Sequence, residues 1–336
     1  MKTKQILFTK KNTAELVEVE LPELQENEVR VKTEFSTISQ GTERANIMGD
    51  PNVNGAGKGE VVFPRGCGYA SAGTVIEVGD KVKNIKIGDR VVTTWGLHRQ
   101  INQVSEKQLV KMPDEISFSE ASMTLIASFS LAAVRKCRVE IGESAVIMGL
   151  GILGQFAVMF ARLQGAAPVI AVDPVKERRE KALKLGADYA LDPMDESFVD
   201  KVKEITGGGA NVCIEVTGLG KGLEQGLDVM KRFGRVALLG CTRDRNFTID
   251  YYKKVHYPGI TMIGAHTLAR PTEESHGGWF THSDDILAIM KMIKLNRMDI
   301  KQLVNEIHSP KECYDIFKRL VEDKSFPVVQ FDWSTL

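Results

Sequence analysis

Ala145-Val-Ile-Met-Gly-Leu-Gly-Ile-Leu-Gly-Gln-Phe156 decides the fold. Residues 145–148 are apolar and short enough for a buried strand. The loop Gly149-Leu150-Gly151-Ile152-Leu153-Gly154 follows, and a helical pattern runs from Ile152 to Gln164. A G-x-G-x-x-G run is weak evidence alone; between a strand and a helix it marks a dinucleotide-binding turn. Gly149 allows the tight turn, Gly151 admits the pyrophosphate, and Gly154 lets helix and strand close up. Backbone N–H groups at the helix start, including those of Ile152 and Leu153, then hold the phosphates. Asp173 ends the next strand, Val169–Val172, 19 residues beyond Gly154. A carboxylate there accepts ribose hydroxyls and repels a 2′-phosphate, which favours NAD over NADP. Arg178 and Arg179 pull the other way, because arginine pairs with that phosphate.

Working outward, strands and amphipathic helices keep alternating. A charged helix spans Lys176–Lys184 and stops at Gly186; Val212–Val216 reads as a strand and Gly222–Phe233 as a helix. Val236–Leu239 and Ile260–Ile263 read as the last strands. This alternation predicts an α/β fold with a doubly wound parallel sheet covered on both faces. Upstream, residues 1 to about 120 read as strands and loops. Glu28-Val-Arg-Val-Lys-Thr-Glu-Phe35 alternates as a half-buried strand does, with further β-branched runs at 73–79 and 89–94. The breaker-rich loop 49–59 is expected to be mobile. A helix is expected over 119–136, capped by Ser117 or Ser119. Beyond Ala265 a polar loop leads to helices over 284–294 and 312–322 and a strand over 328–331.

The chain has 336 residues, 43% hydrophobic and 26% charged, which suits two globular domains. Its 44 basic and 44 acidic side chains cancel, so the broad positive field of a nucleic-acid binder is absent. No apolar run reaches the roughly 18–20 residues of a membrane span, and the start does not read as a signal peptide. A cytoplasmic location follows as the expectation. Cys67, Cys137, Cys213, Cys241 and Cys313 are widely spaced, so neither a zinc-knuckle pair nor a disulfide framework is expected. Each reads as a small buried thiol.

The sequence resembles the medium-chain dehydrogenase/reductase family over essentially its whole length. The resemblance is carried by Ser39-Gln-Gly-Thr-Glu43, Gly68-Tyr-Ala-Ser-Ala-Gly-Thr-Val75, Val78-Gly-Asp80 with Gly88-Asp-Arg-Val91, the loop 149–154, and Leu185-Gly-Ala-Asp188. It implies a GroES-like, β-rich catalytic domain over 1–127, completed by 266–336, around an inserted Rossmann domain over 128–265. It also implies an oxidoreductase whose cofactor contacts extend to Arg178, Thr217, Gly240, Ala265 and His266. A homodimer or homotetramer, joined through the last Rossmann strand, is implied as well. Gly264-Ala-His-Thr-Leu-Ala-Arg-Pro271 with Gly278-Trp-Phe280 resembles the polyol and sugar dehydrogenase branch.

Many members carry a catalytic zinc. Gln40 stands where the resemblance places a cysteine ligand and Tyr69 where it places a histidine. The third region, Leu125-Ile-Ala-Ser-Phe129, has no ligand, and the four-cysteine structural lobe is missing. Gln and Tyr are poor zinc ligands, so no zinc is expected at either place.

Without a metal, side chains must move the alcohol proton. His98, after the strand at 89–94, titrates near neutrality and is the first candidate; a surface histidine, or one bonded to the backbone, is the alternative. Tyr69 can donate to a carbonyl oxygen, or simply fill the space left by zinc. Ser39, Gln40 and Thr42 can orient hydroxyls or relay a proton, or only satisfy a turn. Glu43 reads as structural, paired with an arginine. Trp279, with His276 and His282 on its loop, suits a sugar ring or domain packing. The expected function is zinc-independent, NAD-dependent oxidation of a secondary alcohol of a polyol or sugar-like substrate, or the reverse reduction. The alternatives are an NADPH-dependent quinone or enone reductase, and a dinucleotide-binding protein without turnover.

Overall fold

In a computed structural model covering residues 1–50, 61–242 and 246–336, the chain divides into two units. One comprises 1–126 with 286–336, and the other 127–285. Most of the loop expected at 49–59 lies outside the described residues.

The first unit is built on strands that pair antiparallel, except that 306–308, near the end of the chain, runs parallel to 329–331. β1 (Lys2–Lys10) and β2 (Thr13–Glu20) form a hairpin turning at Asn12, whose φ is 59°. β1 also pairs with β4 (Arg65–Gly66). The larger sheet holds β3 (Glu28–Thr37), β5 (Ala70–Val78), β6 (Arg90–Thr94), β7 (Ile101–Ser105) and β8 (Leu109–Lys111). From the far end of the chain come β15 (Glu306–His308) and β16 (Val329–Asp332), giving the order β15-β16-β3-β5-β6-β8 with β7 on β3. The alternation read at 28–35 holds in part: Val29 and Val31 are buried with Val75, Val91 and Val104, but Arg30 between them is buried as well, its guanidinium bonded to Glu77, Gln103 and the Pro22 carbonyl. A second cluster joins Ile6, Phe8, Phe317, Phe326, Phe331 and Trp333, with Phe317 supplied by α9 (Cys313–Glu322).

Two helices here differ from expectation. α1 (Gln40–Met48) replaces a turn; it starts at Ser39 and stops at Gly49, which adopts the left-handed conformation at φ 69°. Its weakly apolar composition hid it, since only Glu43, Ala45 and Ile47 are buried. The helix expected over 119–136 is two helices, α2 (Phe118–Ala121), capped by Ser117, and α3 (Thr124–Lys136). Between them the Ser122 and Thr124 hydroxyls donate to the carbonyls of Ser119 and Ala121, at 2.9 and 2.7 Å. Such side-chain bonds compete with the helical ladder.

The second unit contains the parallel sheet. Its elements are β9 (Ala145–Met148), α4 (Ile152–Leu163), β10 (Val169–Val172), α5 (Lys176–Leu185), β11 (Tyr189–Leu191), α6 (Phe198–Thr206), β12 (Ala210–Glu215), α7 (Gly220–Asp228), β13 (Met230–Leu238) and β14 (Thr261–Gly264). All pairs are parallel, in the order β11-β10-β9-β12-β13-β14. The chain leaves β9 in one direction and returns to β12 on its other side. That reversal is the topological switch point at which doubly wound sheets bind ligands. α7 ends at Asp228, not at Phe233, because the Val229 carbonyl accepts from Ala210 N at 2.8 Å and pairing overrides helix propensity. Phe233 is left exposed, with φ 63°.

Residues 266–285, read from sequence with the catalytic domain, pack within the dinucleotide unit. Lys136 donates to the carbonyls of Gly264 and Ala269 and lies 4.6 Å from the Trp279 ring centre. Arg135 stacks on Phe280 at 4.0 Å and pairs with buried Asp285 at 3.0 Å. Arg270 pairs with the same carboxylate. α8 (His282–Lys294) then returns the chain to the first unit. Among the described residues, no helix is long and apolar enough to cross a membrane. Four cysteines are buried; Cys241, expected to be buried like them, is exposed just past β13.

Candidate dinucleotide and alcohol sites

The glycine loop sits at the switch point. Gly149 has φ 95°, a conformation that only glycine adopts without strain. A Cβ on Gly154 would stand 1.8 Å from the Gly149 carbonyl oxygen, so only glycine allows this closure of α4 on the loop. Gly151 caps α4 without a side-chain bond, leaving the first-turn N–H groups, including those of Ile152 and Leu153, for an anion. Gln155 Nε2 donates to the Leu150 carbonyl at 3.0 Å, and Ser130 Oγ to that of Leu153 at 2.7 Å, so the loop is braced from below.

Asp173 is 4% exposed. Its Oδ2 accepts from Leu150 N and its Oδ1 from Val175 N, each at 2.8 Å. Each oxygen keeps a lone pair for a ligand hydroxyl. Arg178 lies 3.7 Å from Asp173 Oδ2, whereas Arg179 Nη1 donates to the backbone carbonyls of Asp173 and Pro174, at 2.7 and 2.9 Å, and pairs with Asp192 at 3.1 Å. Thr217 and Gly240 follow β12 and β13, and Ala265 and His266 follow β14, all at carboxyl ends of parallel strands. His266 is exposed, its Nδ1 accepting from Leu268 N at 3.2 Å. These residues fit a dinucleotide: glycines where a Cβ would clash, free first-turn N–H groups and a carboxylate at the second strand end.

The other candidates gather in the first unit. The Tyr69 hydroxyl donates to Ser39 Oγ at 2.5 Å and also bonds Thr42. Burial of the hydroxyl pushes the phenol pKa up, the hydrogen bonds oppose this, and the charge of Glu43 adds to it. Tyr69 is therefore held as a phenol, a proton donor rather than a base. Gln40 opens α1, and its Nε2 donates to the Phe326 carbonyl at 2.8 Å.

His98 corrects the sequence reading. It is fully buried, with Nε2 bonded to Glu43 Oε2 at 2.9 Å and Nδ1 to Ser36 Oγ at 2.7 Å. Trp333 Nε1 donates to the same Ser36 Oγ at 2.8 Å. A carboxylate oxygen only accepts, so a neutral ring carries its hydrogen on Nε2, facing Glu43, and Nδ1 then accepts from the Ser36 hydroxyl. With both nitrogens engaged and Phe331 packed at 5.4 Å, the ring has no group left for a substrate. Glu43, expected to pair with an arginine, pairs with this histidine, and its Oε1 accepts from Ser39 N at 2.9 Å.

Sequence reading missed Trp95. It has φ 62°, a strained value for a bulky residue. Trp95 N donates to the Tyr69 carbonyl at 2.8 Å, and the two ring centres are 5.7 Å apart. The indole is 38% exposed. A strained aromatic beside Tyr69 is a site signal that composition does not carry. Trp279 is also on the surface, but one face of its indole is covered by Lys136.

Zinc does not fit these side chains. Gln40 is bonded to the Phe326 carbonyl, Tyr69 is held as a neutral phenol, and no group of three or more His, Cys, Asp or Glu among the described residues is placed to hold a metal.

A switch-point glycine loop with a carboxylate at the second strand end, in a chain that also has a β-rich unit carrying a hydroxyl cluster, defines a dinucleotide-dependent oxidoreductase. Residues 25–114 match the family model described as alcohol dehydrogenase GroES-like domain, and residues 153–276 match that described as zinc-binding dehydrogenase. L-threonine 3-dehydrogenase of Pyrococcus horikoshii is 31% identical over 281 residues, 75% of this chain and 79% of that protein. D-guloside 3-dehydrogenase of Escherichia coli strain K12 is 28% identical over 290 residues, 81% of this chain and 83% of that protein. The crystal structure of benzyl alcohol dehydrogenase from Acinetobacter calcoaceticus superposes with a TM-score of 0.85 at 20% identity, covering 99% of both chains. The chain belongs to the medium-chain dehydrogenase/reductase family.

Proposed function

We propose that this oxidoreductase uses NAD to oxidise a secondary alcohol of a polyol or sugar-like molecule, or to reduce the matching ketone, without zinc. The carrying observation is the hydroxyl cluster of Tyr69, Ser39 and Thr42, of which Tyr69 stands where the family resemblance places a metal ligand and the other two flank the second such position, Gln40. The nicotinamide, when bound, supplies the hydride acceptor or donor. As hydride adds to a carbonyl carbon, Tyr69 turns its hydroxyl from Ser39 and donates its proton to the oxygen while Ser39 donates a proton back to the phenol oxygen; in oxidation the relay runs in reverse, the phenol oxygen accepting the alcohol proton as Tyr69 passes its own to Ser39. Ser39 and half-buried Thr42 pass the proton between Tyr69 and solvent. Gln40 holds the start of α1, and so Ser39, in place. Trp95 beside Tyr69 suits the apolar face of a sugar ring. The names of the D-guloside and L-threonine 3-dehydrogenases support secondary alcohols as substrates.

Asp173 supports NAD, and Arg178 at 3.7 Å from it is the observation favouring the second reading, an NADPH-dependent quinone or enone reductase. Kinetics with each cofactor distinguish the two: the first reading requires higher kcat/KM with NAD, and a clear NADP preference refutes it. Elemental analysis of protein purified without chelator tests the zinc-free claim, which stoichiometric zinc overturns. Tyr69→Phe is expected to lower turnover by about 100-fold or more while NADH affinity is retained; unchanged turnover removes Tyr69 from the chemistry. We also propose a homo-oligomer, with edge strand β14 pairing with its copy, in the cytoplasm, where the free cysteines stay reduced.

A further inference from the structure

We infer that Glu215 is a positioning residue of the dinucleotide site: its buried carboxylate locks the turn after β12 against the glycine loop and the end of β13. This rests on the dinucleotide reading above. Glu215 ends β12, pairing with Met148 of β9 on one side and Leu238 of β13 on the other. It is 3% exposed. Oε1 accepts from Thr217 N at 2.8 Å and from the Thr217 hydroxyl; Oε2 accepts from Gly218 N at 3.2 Å. The Glu215 backbone carbonyl accepts from Leu239 N and Gly240 N, at 2.9 and 2.8 Å. One residue thus fixes two strand ends.

The turn it holds is wedged tightly. A Cβ on Gly149 would lie 3.0 Å from Thr217 Cγ2, and one on Gly222, at the start of α7, 2.2 Å from Thr217 Oγ1. A Cβ on Gly240 would lie 2.4 Å from Gly218 N. Thr217 Oγ1 also accepts from Leu219 N at 3.1 Å. Any rotation of Thr217 therefore moves against Gly149, the first residue of the cofactor loop. Three donors converge on two oxygens, so an acceptor-only group is required. A glutamine would turn an NH2 toward at least one N–H, and that pair would repel. Burial raises the Glu215 pKa, and the bonds from Thr217 and Gly218 oppose that rise.

Sheet order supplies the test. Asp173 is beyond β10, and Glu215 is on the opposite side of β9. AMP, a probe for the Asp173 side, should be indifferent to Glu215, whereas NADH spans both sides. Glu215→Gln is expected to weaken NADH binding by at least about 10-fold while AMP binding stays within about twofold. Kd values are read by fluorescence and calorimetry, with circular dichroism as the fold control. Thr217→Val removes the hydroxyl with little change of volume and is expected to show the same selective loss, more weakly; it replaces Glu215→Gln should that variant not fold. Unchanged NADH affinity overturns the inference. A parallel loss of AMP and NADH also overturns it, because a merely structural role would affect both. Failure of the wild-type protein to bind NADH or NADPH would instead refute the dinucleotide reading itself.

Discussion

His98→Ala separates a structural from a catalytic histidine. In the native protein the ring donates to a carboxylate that has one further donor among the described residues, Ser39 N. Removing the ring leaves Glu43 buried at 2% exposure, with half of its partners gone. Stripping a buried charge of its partner costs about 3–5 kcal/mol. The cavity opened beside Phe331 and Phe317 adds to that, and part of the two costs overlaps; the sum is about 4–6 kcal/mol. A domain has roughly 5–15 kcal/mol in total, so the β-rich unit should stand at the edge of unfolding. His98→Gln keeps a donor within reach of Glu43 and should cost only about 1–3 kcal/mol. Urea unfolding followed by tryptophan emission measures both, since Trp333 is buried and bonded to the same Ser36. Turnover per folded molecule is measured beside it. We expect His98→Gln to be less stable and to keep turnover within about threefold of wild type, a change of under 1 kcal/mol in barrier. Full stability with turnover reduced by about 100-fold would refute the structural assignment.

Gly154→Ala places a methyl 1.8 Å from a carbonyl oxygen, where ordinary contact begins near 3.4 Å. We expect about 1–3 kcal/mol of destabilisation and loss of NADH binding by fluorescence titration; wild-type affinity would show that α4 can shift freely. Burial, with Arg270 adding its charge, lowers the His282 pKa from 6.5 to about 3. The unfolded chain therefore takes up a proton that the folded chain refuses, and the stability this histidine contributes is lost as pH falls from 6.5 toward 3. His282→Gln should flatten the fall in stability between pH 6.5 and 5, measured by denaturant midpoints; an unaltered slope would locate the acid sensitivity elsewhere. Trp95→Ala is expected to raise KM for polyols by about 10-fold, with KM for a simple secondary alcohol little changed; equal effects on both would refute sugar stacking.

The parallel sheet was legible except for its edge strand β11, three residues too short to show a pattern, because its other signals are local. Strand, glycine loop, helix and Asp173 lie within 29 consecutive residues, 145–173, and each element follows from its own pattern. α1 and the break at Ser122 were not legible, since one is nearly polar and the other depends on hydroxyls competing for carbonyls. The failure at His98 has a different cause. Residue type and loop position both pointed to chemistry, but burial is decided by Phe331, Trp333 and Ser36, which lie far away in the chain. Tyr69 and Ser39 could be named from sequence, but not their direct bond. Glu215 drew no notice because a glutamate ending a strand looks ordinary until its donors are counted.

The pairing of β16 with β3 has a consequence for biosynthesis. Gln330, Phe331 and Asp332 lie against Thr37, Ser36 and Phe35. On the ribosome, Ser36 emerges nearly 300 residues before Trp333, the indole that completes its bonding. The whole dinucleotide unit, 127–285, is continuous and can fold during that interval. The Phe35–Thr37 end of β3 must wait, its edge there unpaired and open to association with other chains. A nascent chain halted after the second unit should therefore bind cofactor before its alcohol site exists, and it is the form that a chaperone would need to protect.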